Sequence, residues 1–330
     1  MNLLERLLKG DSRAVARLIT LVENDDPKAR KAIKELYRYG GGAHIIGITG
    51  PTGTGKSALI CKLTQAYRRL GKTVGIIAVD PTSPFTGGAL LGDRVRMQEL
   101  GDDPGVFIRS MGTRGASGGL ATTTNDAINI LDASKRDVII VETIGTGQDE
   151  IEIAKFAHTL VVVTMPGGGD EIQSIKAGIL EIGDIFVVNK ADHPEAYRAV
   201  AELEFMLELG RDRKKDGWKE PVVQTCAIKN EGIDELLQKI QEHRQHLIES
   251  GQLQKKRANR SRAELVKIIN RRVAEAVNGA IGEGGEHHDL VDKVALTGEI
   301  DPYSAADVVI RHLLRKGREN LASLNNDYSD

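Results

Sequence analysis

Aromatic side chains are scarce in this chain, at 4% with a single tryptophan, which removes the stacking platforms of a single-strand nucleic-acid binder. Neither sign of charge dominates. Lys+Arg of 45 against Asp+Glu of 47 leaves a net charge of −2, so no global field favours nucleic acid or an anionic membrane. The two cysteines, Cys61 and Cys226, are too few for a disulfide scaffold, and their apolar surroundings suit a reducing compartment. No apolar run approaches the roughly 18–20 residues of a membrane span, and Glu5, Arg6 and Lys9 interrupt any signal-peptide core near the start. There is no C-x-x-C, no His/Cys cluster at metal-ligand spacing and no strand-turn-helix serine nucleophile. His287-His288 reads as a solvent-exposed pair in a glycine-rich loop. The expectation is a cytoplasmic protein without nucleic-acid or membrane partners.

Glycine is plentiful, and its most informative cluster is Gly50-Pro51-Thr52-Gly53-Thr54-Gly55-Lys56-Ser57. This run fits G-x-x-x-x-G-K-[ST] without a mismatch, after the apolar run Ile45–Ile48 and before a predicted helix from Ala58 to Leu70. Strand, glycine-rich loop and helix are what phosphate binding needs. The loop turns backbone N–H groups inward, and the helix N-terminus adds its positive dipole end. Lys56 can reach the β- and γ-phosphates, and Ser57 can offer a hydroxyl to Mg²⁺. Gly53, Gly55 and Ala58 also spell G-x-G-x-x-A, with Asp80 about twenty residues on, as in a dinucleotide fold. That alternative leaves Gly50, Lys56 and Ser57 unexplained.

Residues 2–39 read as helices, with Asp11 and Ser12 as cap candidates and Pro27 opening a third helix. From 43 to about 240, short apolar runs alternate with amphipathic segments: Ile45–Ile48, Val74–Val79, Val106–Ile108, Val138–Val141, Leu160–Val163, Ile185–Val188 and Val222–Val223. The predicted class is α/β, a P-loop domain with a mostly parallel sheet and helices on both faces. Leu236 to Asn278 reads as helical, with Lys255, Lys256, Arg257, Arg260 and Arg262 as a solvated face or hinge. Pro302 starts a last helix. The expected division is an N-terminal helical extension at 1–42, the nucleotide-binding domain at 43–246 and a C-terminal helical region at 247–330.

Asn189-Lys190-Ala191-Asp192 follows the run Ile185–Val188. A carboxylate there accepts from N1–H and the exocyclic amine of guanine, whereas adenine would leave it unpaired, at a cost of about 1–3 kcal/mol. Asn189 can bond the opposite base edge, and the Lys190 stem can lie along the base face. In Thr225-Cys226-Ala227, the N–H of Cys226 or Ala227 can close around the base oxygen. GTP is favoured over ATP. Asp80, Asp93 and Glu142 are candidates for the Mg²⁺ shell, some acting through water. Gly145, with Gly147, would let the backbone approach a γ-phosphate.

Taken together, these residues closely resemble the MeaB-type G proteins, GTPase chaperones of adenosylcobalamin-dependent acyl-CoA mutases, some formerly labelled arginine/ornithine transport kinases. The resemblance is carried by Gly10–Ala14, Leu18–Glu23, Val79–Arg94, Arg109–Gly115, Glu142–Gly145, Pro166–Gln173 and Asp301–Tyr303. The stretch from Asp80 to Arg94 is far more specific than the phosphate loop. The resemblance implies that Asp80, Asp93 and Glu142 serve the Mg²⁺ site and that Pro166–Lys176 is a third switch signalling nucleotide state. Lys176 would be tied to partner-stimulated hydrolysis. It also implies a C-terminal dimerisation arm, a homodimer, and a mutase bound in trans, with adenosylcobalamin on the mutase and a cobalamin adenosyltransferase as a further partner. Thr54 and Ala58 depart from the family's usual Val and Thr without removing a phosphate contact, and Gly168 stands for a more common Ala in the third switch, which implies a more mobile loop there.

The implied activity is slow GTP hydrolysis, accelerated by the mutase, that gates cofactor loading. Lys56, Asp80, Glu142 and Lys176 are the candidate catalytic residues. The alternatives are a GTP-dependent metallochaperone, which should carry Cys/His ligands, a small-molecule kinase, which needs an acceptor pocket, and a non-catalytic scaffold.

Overall fold

The computed structural model describes residues 2–80, 97–112, 122–143, 148–167, 177–209 and 217–326. Seven parallel strands form one sheet in the order β3-β2-β4-β1-β5-β6-β7. They are β1 (His44–Thr49), β2 (Val74–Asp80), β3 (Val106–Gly112), β4 (Val138–Glu142), β5 (Thr159–Thr164), β6 (Ile185–Asn189) and β7 (Val222–Thr225). Each contains one of the seven apolar runs. Those runs are continuous rather than alternating because both faces of the sheet are covered. In β4, Ile139 and Val141 enter one core layer, while Val138 and Ile140 enter the other.

The first layer is closed by α1 (Leu3–Leu8), α2 (Ser12–Glu23), α3 (Pro27–Leu36), α5 (Thr122–Ala133), α6 (Gln148–Phe156), α7 (Ala177–Ile182) and α8 (Ala196–Leu209). The second is closed by α4 (Lys56–Arg69) and α9 (Ile233–Glu249). The N-terminal helices are therefore part of the main core: Leu7, Val15 and Ile19 are fully buried. Asp11 caps α2 by accepting from the N–H groups of Arg13 and Ala14, and Pro27 occupies the first turn of α3. The segment between α3 and β1 is held by Asp132 of α5, whose carboxylate accepts from the N–H groups of Gly41, Gly42 and Ala43.

One expectation is corrected here. The helical stretch Leu236–Asn278 is made of two helices, α9 and α10 (Gln252–Ile281), which part at Ser250 and Gly251, with Gly251 at φ +69°. The basic run at the start of α10 is not merely a solvated face. Lys256 Nζ donates to His158 O at 2.7 Å and to Asp184 Oδ2 at 3.2 Å, and the Arg260 guanidinium reaches Asn125 and Asn129 of α5.

The chain divides into two compact units, Met1–Arg260 and Ser261–Asp330. In the second, α11 (His288–Asp292), a short π-helix and α12 (Pro302–Asn326) follow the rest of α10. His287 packs edge-on against His312, which pairs with Glu286 at 3.1 Å. His287 is thus half-buried rather than solvent-exposed, whereas His288 is exposed. Among the described residues no helix is long and apolar enough to cross a membrane.

The amino end of the sheet holds a buried imidazole network. His44 Nε2 and His243 Nδ1 both lie 2.9 Å from Thr159 Oγ1, and Ile45 N–H donates to His158 Nδ1. Burial first, then the cations of α10, pushes His158 from 6.5 down to about 3, and burial lowers His44 as well. Between pH 6.5 and about 3 the unfolded chain takes up a proton that folded His158 refuses, so stability is full above that window and falls as pH drops through it. The slope is at most about 1.4 kcal/mol per pH unit for each such histidine. Urea unfolding at pH 7.5, 6.0 and 5.0 should show His158→Gln losing stability less steeply than the parent on acidification.

Candidate functional site

The carboxyl edge of the sheet gathers the candidate residues. Gly50 ends the β1 side of the loop at φ +138°, where a Cβ would lie 1.9 Å from Val163 O. Gly55 sits at φ +87°, and a Cβ there would lie 2.5 Å from Asn189 Nδ2. Only glycine fits either place. Gly55 precedes α4 without a side-chain cap bond, and an uncapped first turn suits an anion. Lys56 is buried, and its ammonium donates to Gly50 O at 2.8 Å and Pro51 O at 3.0 Å. The amine is therefore folded over the loop that a phosphate would enter. Gly53 and Thr54 lie within that loop, with Thr54 Oγ1 donating to Pro51 O, and Ala58 packs from α4 onto the second core layer.

Ser57 and Glu142 come together although 85 residues apart in sequence: Ser57 Oγ donates to Glu142 Oε1 at 2.9 Å, and both side chains are buried. Sheet register explains the meeting, since Glu142 lies beside Ile48 of β1 and Ala78 of β2. A hydroxyl beside a carboxylate is a hard-oxygen donor pair of the kind Mg²⁺ takes, so the residues fit that ion. Asp80 is the last residue of β2, at the same edge. Asp93, Gly145 and Lys176 lie outside the described residues.

Asn189 joins the N-K-x-D loop to the glycine-rich loop. Its Nδ2 donates to Thr54 O at 2.8 Å, while its Oδ1 accepts from Thr225 Oγ1 at 3.0 Å and Ala227 N–H at 3.2 Å. Two donors on one atom fix which end of the amide is oxygen. Lys190 adopts φ +59° and its ammonium donates to Met165 Sδ. Asp192 is approached by the Cys226 thiol and the Lys229 ammonium, each at 3.3 Å, and these contacts, the thiol first, hold its carboxyl below the usual range. The N–H of Cys226 donates to Glu231 O, and that of Ala227 to Asn189. Of the Cys226–Ala227 pair, it is therefore the thiol that reaches Asp192, while both N–H groups, expected to face a base oxygen, are taken up within the protein and brace the loop. Lys229 and Met165 were not foreseen, because a lone lysine in a turn and a methionine after a strand carry no pattern.

A G-x-x-x-x-G-K-S loop between β1 and α4, a buried serine–glutamate pair beside it and an N-K-x-D loop after β6, all on one parallel sheet, define a P-loop GTPase. A family model described as methylmalonyl Co-A mutase-associated GTPase MeaB matches residues 15–281, and the chain belongs to that family. A putative GTPase of Pyrococcus abyssi is 54% identical over 317 residues, covering 96% of this chain and 97% of that relative. The mitochondrial methylmalonic aciduria type A homolog of Mus musculus is 33% identical over 324 residues, covering 92% and 77%. The solved structure of an LAO/AO transport system kinase has the same fold, with a TM-score of 0.68 at 24% identity over 94% of this chain and 96% of that one.

Asn189→Ala removes three bonds and strands a buried carbonyl, hydroxyl and N–H, each worth about 1–3 kcal/mol when unsatisfied. A loss of roughly 2–4 kcal/mol in urea unfolding is expected, with guanine-nucleotide affinity falling in the same variant. A variant of parental stability would remove Asn189 as the link between the loops.

Proposed function

We propose that this GTPase is a chaperone that gates adenosylcobalamin loading and protection of a cobalamin-dependent acyl-CoA mutase, methylmalonyl-CoA mutase in the first instance. The observation that carries the reading is the family match over residues 15–281, on a chain whose phosphate and base loops share one buried amide.

In this reading Gly50, Gly53, Thr54, Gly55, Lys56, Ser57 and Ala58 hold the phosphates of GTP or GDP. Asn189, Lys190 and Asp192 read guanine, with Cys226 and Ala227 closing that side and Gly145 lying near the γ-phosphate. Ser57 and Glu142, with Asp80 and Asp93, hold Mg²⁺ directly or through water. The ion would supply positive charge to the phosphate oxygens as negative charge builds on them. Lys56, on leaving the Gly50 and Pro51 carbonyls, adds a second cation from the protein. Preorganised N–H groups and one ammonium do not by themselves position a water, so intrinsic turnover is slow and the mutase completes the site, with Lys176 as its point of action. The protein works in the cytoplasm, takes its mutase in trans, and meets a cobalamin adenosyltransferase as a second partner.

A homodimer through the C-terminal helices belongs to the same reading. Leu265, Ile269 and Val273 stand at helical spacing on α10 and are about half exposed, an apolar row that a second copy would cover.

GTP turnover with Mg²⁺, measured with and without an equimolar mutase from the same source, should rise about tenfold or more on adding the mutase, or roughly 1.4 kcal/mol of barrier. Lys56→Ala should abolish turnover in both settings, and turnover indifferent to the mutase would overturn the chaperone assignment. Sedimentation of an Ile269→Glu, Val273→Glu double variant should give a monomer where the parent gives a dimer.

A further inference from the structure

The base-reading loop carries a lysine that guanine recognition by itself does not call for. Lys229 Nζ lies 3.3 Å from Asp192 Oδ2, while the Cys226 thiol donates to Asp192 Oδ1 at 3.3 Å. Both donors come from one short turn, and that turn is rigidly held. Cys226 and Glu231 exchange backbone bonds of 3.0 and 3.2 Å, and the N–H of Lys229 returns to Cys226 O at 3.0 Å. Asn230 sits at φ +58°. Gly232 follows at φ +72°, where a Cβ would lie 2.0 Å from Gln224 O. On the other side, Ala191 N–H donates to Thr225 O at 2.9 Å, which fixes the backbone just before Asp192.

We propose that Lys229, together with the Cys226 thiol, is a positioning residue that locks the plane of the Asp192 carboxylate, so that both of its oxygens meet guanine at once. The proposal rests on the reading of Asp192 as the base acceptor.

Guanine offers two donors, N1–H and the exocyclic amine, side by side in one plane. A carboxylate matches them only if its own plane is held. A freely rotating Asp192 keeps one bond and loses the other for part of the time. Each carboxylate oxygen accepts about two hydrogen bonds, so Lys229 and Cys226 can hold one lone pair of each oxygen and leave the other for the base. Each contact also favours the ionised form: Asp192 is held below the usual carboxylate range, and Lys229 is raised by Asp192 in return. Both side chains of the ion pair are about half exposed, so its effect lies in geometry more than in bulk stability.

Hypoxanthine separates this role from simple support of the fold, because it keeps N1–H and lacks the exocyclic amine. The GDP/IDP affinity ratio therefore reads how well the second oxygen is placed. Titration calorimetry of the full chain with GDP and IDP, with Mg²⁺ present, should give a ratio about threefold lower in Lys229→Met than in the parent. Lys229→Arg should keep most of the ratio, Cys226→Ala should lower it, and Cys226→Ser should restore it. The melting temperature of Lys229→Met should stay at the parental value. A ratio unchanged in Lys229→Met overturns the proposal, and since Lys229 is exposed this holds even if Cys226→Ala does not fold. Asp192→Asn tests the underlying reading: loss of GDP preference there, beside an unchanged Lys229→Met, would sink the positioning role alone. An Asp192→Asn protein that still prefers GDP to IDP would sink base recognition by Asp192 itself.

Discussion

Asn189 is almost wholly buried, and its amide ties the N-K-x-D loop to two others: the glycine-rich loop through Thr54 O, and the Thr225–Ala227 segment through Thr225 Oγ1 and Ala227 N–H. A buried amide that satisfies both its donor and acceptor ends against backbone and hydroxyl groups is costly to misplace, because each broken bond leaves a desolvated group behind. The spacing between the glycine-rich loop and the N-K-x-D loop is therefore set by bonds within the chain itself. Gly55 belongs to the same constraint, since any side chain there would displace the Asn189 amide. Lys56 and Ser57 follow Gly55 directly, and the Gly50 and Pro51 carbonyls and Glu142 hold them further.

The sheet supplies the frame on which this amide works. With both faces covered, its strands are fixed in register by two apolar layers, and every loop at the carboxyl edge starts from a rigid strand end. The opposite edge is also polar, but there the polar groups are closed off: Thr159, His44 and His243 satisfy one another, and Lys256 seals Asp184 and the His158 carbonyl. One edge thus spends its polarity on stability, and the other keeps a loop lysine, a serine and carboxylates ordered within reach of a ligand.

Much of this was legible in the sequence, for identifiable reasons. The five inner strands were visible as apolar runs because a doubly covered parallel strand has no polar face to interrupt it, and the edge strands β3 and β7 showed as shorter runs that stop before Arg109 and Gln224. The phosphate loop and the N-K-x-D loop were legible because their chemistry demands fixed residue types at fixed spacing. What was not legible depended on folding distance. The Thr54–Asn189 bond joins residues 135 positions apart, and nothing local marks either as the other's partner. Lys256 was misread as solvated because a run of charges on a helix usually is; only the sheet's amino edge, where Asp184 and the His158 carbonyl accept from it, makes it a docking residue.

The exposure of Asp192 bears on the role proposed for this acid. A charge pair this close to solvent is screened, so on that proposal Asp192 would not choose guanine through field strength alone. Adenine would be excluded because it offers this acid no matching pair of donors. Guanine would be accepted to the extent that the carboxylate plane matches the base plane, a geometric condition set by a loop rather than by burial. In such a site specificity would be inherited from backbone rigidity: the left-handed residues at 230 and 232 and the Cys226–Glu231 bridge fix the turn, and the turn carries the two donors that meet the acid. The same rigidity reaches the glycine-rich loop through Ala227 N–H and the Asn189 amide, so the two loops form one mechanical unit.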